Sequence, residues 1–221
     1  MRKEQRWMLG LAIVVAFVIG IFWAGPVGAE PPGLPRCTLK EVCVKIDAIE
    51  KKLAGALVGA AVEKTGQEAS YATGDDGYWK KGVAWSVPRF TDNEDGTVTD
   101  NLTGLIWLQN ASCGGKKNWD DAVSWCNGLQ SGDCDLADGS VSGDWRLPNI
   151  KELQSLIDYG NWNPAVPSGH PFSDVEPNHY WSATTYANMP DGAWYVKLGY
   201  GSVDYGFKNN ERYVWPVRGG Q

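Results

Sequence analysis

Between Gly143 and Gly160 the chain reads GDWRLPNIKELQSLIDYG, and no other stretch limits its fold so tightly. Leu147 precedes Pro148, whose ring biases it away from helix, so Trp145 and Leu147 enter on an extended segment. Asn149 then caps a helix and Glu152 completes a capping box, with Ile150, Leu153, Leu156 and Ile157 at helical spacing. Gly160 offers a left-handed stop. A one-faced helix of about eleven residues cannot stand alone in water. It must lay its apolar face on the Trp-rich strands that flank it.

Those strands are legible from their alternation. Residues 89–92 read as a strand, 93–96 as a tight turn and 97–100 as the return; Leu105, Ile106 and Trp107 then head for the core. Asn118 caps a second helix whose Trp119, Ala122, Val123, Cys126 and Leu129 share a face. After four prolines between 164 and 177, residues 180–186 form a strand, and 194–198 with 203–207 form a hairpin about the Gly199–Gly201 turn. A last strand carries Tyr213, Trp215 and Val217, with Pro216 predicting an edge or a bulge. Two helices within short strands give an α+β domain over 89–221, with Trp107, Trp119, Trp145, Leu147 and Leu153 as core.

The blocks PRFTDNEDGTVTDNLTGLIWL (88–108), GDWRLPNIKELQSLID (143–158), YWSATTY (180–186) and VWPVRGG (214–220) resemble the C-terminal domain family of the Legionella collagen-like adhesin. The resemblance runs from Pro88 to the end. It implies a C-type-lectin-like fold, an extracellular setting and a trimeric adhesive relative that binds sulfated polysaccharide; it implies no catalytic residue. The formylglycine-generating enzymes share this general fold type, but their reactive cysteine pair has no counterpart here.

Upstream, Arg2, Lys3 and Arg6, an apolar run over 7–23 and small residues at Val27-Gly28-Ala29 describe a signal peptide over 1–29. A retained membrane anchor is the alternative, and would be the chain's one membrane contact. Either places the rest outside the cytoplasm: cell surface, periplasm or medium. Cys37 lacks the small neighbour that lipid attachment needs. Residues 30–37 are a Pro-rich spacer. Over 38–65 a helix is expected, with Leu39, Val42, Ile46, Ile49, Leu53, Ala56 and Ala60 in an unbroken heptad seam. Isoleucine at both seam positions favours three or four strands over two, read here as a homotrimeric stalk, the alternative being one amphipathic helix packed on the domain. Residues 66–88 read as a linker, most flexible at Gly74-Asp75-Asp76-Gly77, with Trp79 and Trp85 covering part of the domain.

Charge narrows the partners. The whole chain carries −6, but 89–221 hold nine Lys and Arg against 17 Asp and Glu, a net of −8. An acidic head weighs against nucleic acid and against polyanions, and no basic cluster follows Lys116-Lys117. Five cysteines in an exported chain imply disulfides and one leftover. Cys126–Cys134 would close a short loop off a helix end; Cys113–Cys126 and Cys113–Cys134 compete with it, and Cys37 and Cys43 pair within or between chains.

Site chemistry is sparse. His170 and His179 sit in the Pro-rich region as solvent-facing residues, with no GxSxG or HExxH nearby, so no enzyme is read. No cofactor is required; calcium is the one ion the acidic loops suit, chiefly at Asp133, Asp135 and Asp138. Asp92–Asp95 read as turn residues, and Glu176-Pro177-Asn178 lacks the companion Trp-Asn-Asp of calcium-dependent lectins. The nine tryptophans from Trp85 to Trp215 are chiefly core payload. The expected ligand surface for a glycan or protein is the final hairpin and its turns: Tyr200, Ser202, Asp204, Tyr205, Asn209, Asn210, Glu211 and Arg212. A structural component of an envelope assembly is the alternative.

Overall fold

The computed structural model describes residues 62–219. The signal or anchor, the spacer, the heptad seam, Cys37 and Cys43 lie outside the described residues. Among the described residues no helix is long and apolar enough to cross a membrane.

Twelve elements follow one another: α1 (Asp76–Trp79), β1 (Phe90–Asp92), β2 (Thr97–Asp100), β3 (Ile106–Leu108), β4 (Lys116–Lys117), α2 (Trp119–Gly128), α3 (Ile150–Ser155), β5 (His179–Thr185), β6 (Gly192–Lys197), β7 (Ser202–Phe207), β8 (Arg212–Tyr213) and β9 (Val217–Arg218). They form a mixed α+β domain with two sheets, ordered β1-β2-β3-β9 and β4-β8-β5-β6-β7. Every pairing is antiparallel except β5 with β8.

The last strand expected from the sequence is two. Its residues leave the larger sheet after Tyr213 and join the smaller at Val217, so Val214, Trp215 and Pro216 cross the core between them. Pro216 has no N–H to give, yet its carbonyl accepts from Leu108 N at 3.2 Å, so the crossing costs no donor. Trp215, fully buried, donates its indole N–H to Leu108 O at 2.8 Å and meets Trp107 edge-on at 5.6 Å. One apolar cluster thus joins both sheets and α3. A second, built on Ala122, Cys126, Leu147, Trp181, Tyr195 and Val214, fills the space between α2 and the other face of the larger sheet.

Trp107, Trp145, Leu147 and Leu153 are buried as expected, whereas Trp119 is only half-buried, its ring lying under Lys208 Nζ at 3.9 Å rather than within the core. The central helix carries the full capping box, with Asn149 accepting from Lys151 and Glu152 and returning its own N–H to Glu152. It is six residues long rather than eleven: the Leu156 N–H bonds back to Leu153 O and Gln154 O, tightening the end before the turn at Ile157. Gly160 is not its left-handed stop. That glycine is needed for closeness instead, since a Cβ there would lie 2.5 Å from Gly66 O.

The disulfide is Cys113–Cys134, with Cα atoms 6.0 Å apart, and not Cys126–Cys134. Cys126 occupies the inward face of α2, where it is fully buried among Leu147 and Trp181, and a side chain packed there cannot also reach a surface loop. Burial pushes its thiol well above the ordinary cysteine range.

Residues 62–88 depart from the expected linker. Positions 62–65 are extended rather than helical, and Glu63 pairs with Val83 in a parallel bridge. The expected flexible point is the capped turn of α1, where Asp75 accepts from Tyr71, Ala72 and Tyr78 N–H groups at 2.7, 3.2 and 2.8 Å. Trp85 does cover the domain, over the Arg89 guanidinium at 5.1 Å, while Trp79 faces solvent.

Candidate functional site

The final hairpin alternates as period two requires, so its expected ligand residues divide between faces. Ser202 and Asp204 share one face with Lys197 and Tyr195, their cross-strand partners. Arg212 arrives on the same face from β8, paired across with Lys117. Its guanidinium lies 3.8 Å from the Tyr195 ring and 4.7 Å from the Trp181 ring, a stacked position that lysine cannot reproduce. Gly206 makes room for it: a Cβ at that position would come within 2.3 Å of Arg212 Nη2. The Arg212 Nε is buried without a hydrogen-bond partner.

Around this arginine the charges are mostly positive. His179, opposite Lys197 across the β5–β6 pair, stands edge-on to Tyr195 at 4.9 Å. Its pKa is lowered first by burial and then by Arg212, Lys197 and Lys116, against which Asp204 alone pulls upward. Arg212 is itself lowered by burial. Lys197 Nζ sits 4.7 Å from the ring of Tyr200, which stands 67 % exposed at the turn. Strands β5, β6 and β8 therefore bring His179, Lys197 and Arg212 to one aromatic-floored rim on a domain whose overall charge is negative, while Lys116 lies over Tyr213 on the other face. The sequence showed no basic cluster here because the rim's members are scattered from 179 to 212.

The remaining expected residues lie elsewhere. Tyr205 is on the reverse face, stacked on Tyr186 at 4.1 Å beside Trp194. Asn209, Asn210 and Glu211 form the exposed turn at the far end of β7, closed by Asn210 N–H to Phe207 O at 3.0 Å. Lys197, His179, Tyr195 and Trp181 were missed. Only a correct strand register, which puts Lys197 opposite Ser202 and His179, would have found the first two.

The acidic loop does not gather. Asp133 accepts from Gln130 N–H at 3.2 Å, Asp135 is exposed, and Asp138 Oδ2 lies 3.1 Å from Arg218 Nη1 in an ion pair without hydrogen-bond alignment. Among the described residues no three His, Cys, Asp or Glu side chains form a group that would hold a metal. Neither histidine is the solvent-facing loop residue expected. His179 opens β5, and His170 is half-buried against Phe172 at 5.6 Å.

With this geometry in place, comparison with known families is decisive for kinship. A family model described as the Lcl C-terminal domain matches residues 96–218, more than half of the 221-residue chain. The chain belongs to that family. No curated protein matches it. The matched Lcl segment contains β2 through β9 and the whole Arg212 rim, while β1 and residues 62–88 precede it.

Proposed function

We propose that this Lcl-family protein is an exported, non-catalytic adhesion module that recognises a glycan or protein partner through the Arg212 rim. The observation that carries the reading is the Arg212 guanidinium stacked on Tyr195 and Trp181 with Lys197 on the same face: a charged donor that is partly desolvated and whose Nε lacks an acceptor suits an anionic group on the partner. This reverses the expectation drawn from net charge, because ligands respond to the local field. The half-exposed aromatic floor adds contact area at little entropic cost. Family membership and the two-sheet α+β architecture support a C-type-lectin-like head, and the heptad seam supports three heads on one stalk, which would multiply affinity.

Retention of the full chain on sulfated, carboxylated and neutral glycan matrices tests this. Anionic matrices should retain it with strong salt dependence, and Arg212→Gln should lose that retention. Equal retention on neutral matrices, or an unchanged Arg212→Gln, would sink the reading. A second reading, self-assembly into an envelope lattice, is favoured by β7, an unpaired sheet edge bearing exposed Tyr205 and Phe207. Filaments or lattices seen by electron microscopy without added ligand would support it instead.

A further inference from the structure

A second place in the molecule is shaped for a ligand, and its chemistry is different. Residues 62–88 lie against the head along a seam closed by Tyr159 N–H to Thr65 O at 2.8 Å and by the close approach of Gly160 to Gly66. Beside that seam opens a cleft of about 600 Å³, walled by Tyr71, Trp85 and Tyr159, with Arg89, Asp158 and Asn161 among its polar lining. Two of the rings stand well out of the core, Tyr71 at 85 % and Tyr159 at 47 % exposure. Aromatic faces held open at one cleft are uncommon on a monomer surface without a use.

The polar lining decides the ligand class. Arg89, its side chain only 7 % exposed, gives Nε and Nη2 to Asp100 at 2.8 and 3.0 Å and Nη2 also to Ser155 O at 2.9 Å. Its Nη1 is buried and turned to the Glu63 carboxylate 4.0 Å away, so it offers nothing to the cleft. A free donor among the lining is the Tyr159 hydroxyl, which accepts from Gln154 Nε2 at 3.2 Å and keeps its own proton to give. Yet Asp100 already neutralises the guanidinium, and Asp158 and Glu68 also border the cleft, so an anion would be repelled. A cation finds no open carboxylate pair either: both Asp158 oxygens are engaged, with Gly160 N–H and with Asn161 Nδ2 at 2.8 Å each, and Glu68 is paired with Lys80. Burial also pushes the Asp158 carboxyl up, toward its neutral form. Asn161 spends its amide hydrogens on Asp158, Val166 O and Ser168, leaving an acceptor oxygen to spare. Spare donor, spare acceptor, no excess charge and flanking ring faces match a molecule whose hydroxyls both give and take hydrogen bonds and whose C–H face packs on aromatics.

We infer that the cleft between residues 62–88 and the head binds a neutral saccharide, independently of the Arg212 rim. One wall of the site precedes the Lcl match, which begins at Gly96, so kinship does not supply it.

The test uses the full chain with cellobiose, maltose, lactose and diacetylchitobiose as probes, followed by calorimetry and ligand-observed NMR in about 0.5 M salt, which screens the charged rim. At least one probe should bind with a millimolar Kd, and Tyr71→Ala and Tyr159→Ala should each weaken it by roughly tenfold. Both residues are exposed, so the fold should survive, as circular dichroism would verify. Arg212→Gln should leave this binding intact and lose retention on sulfated matrices at low salt, so either site can fail without the other. No binding by any probe at about 20 mM, or binding unchanged in the Tyr71→Ala, Tyr159→Ala double variant, overturns the inference.

Discussion

Trp145 is fully buried, and its indole N–H still finds an acceptor in the Ser140 hydroxyl at 3.0 Å. The Arg218 guanidinium lies over its ring at 5.2 Å and pairs with Asp138, so one side chain ties the loop 131–142 to β9. Trp145→Ala should lower stability by about 3–5 kcal/mol in urea melts, because both transfer energy and cavity are lost. The histidines give a second prediction. Burial lowers both His170 and His179, so the unfolded chain binds more protons than the folded one below about pH 6.5. Their contribution is present above that pH and is lost as pH falls through the lowered folded-state values. Glu63 and Asp158, raised by burial, act in the opposite sense nearer their own range above pH 4.5 and 3.8. Melting temperature should therefore decline from pH 7 toward 5.5, with a shallower decline in His179→Gln. The inward course of Trp145 was legible from DWRLP; the lowered histidines were not, because burial comes from residues distant in sequence.

At the scale of elements, local signals placed caps better than ends. Asn118 and Asn149 cap their helices as read, because capping depends on neighbours within three residues. The ends of α3 and of the last strand depended on what packs beside them. The disulfide belongs here too: Cys113–Cys134, 21 residues apart, pins the loop after α2 to the turn before β4, and reducing it should cost about 3 kcal/mol from loop entropy. Thermal melts with and without dithiothreitol measure this. Under the same native conditions Cys126 should resist alkylation by iodoacetamide, because its thiol is buried and held protonated.

At the scale of the molecule, residues 62–88 are part of the head's surface, and in the sequence the heptad segment precedes them. If that segment trimerises the chain, replacing Ile46 and Ile49 by aspartate should convert a trimer to a monomer in sedimentation while the head's circular dichroism stays intact. A wild-type monomer would refute the stalk. By itself the sequence determined the α+β class, the family, the helix caps and most of the buried tryptophans, since each rests on short-range periodicity or on contiguous blocks. Only the tertiary structure decided which cysteines meet, where the final strand changes sheets and that Arg212, Lys197 and His179 share a rim. Register and crossing are set by packing between distant segments, and a single-residue slip would send each of those side chains to the other face.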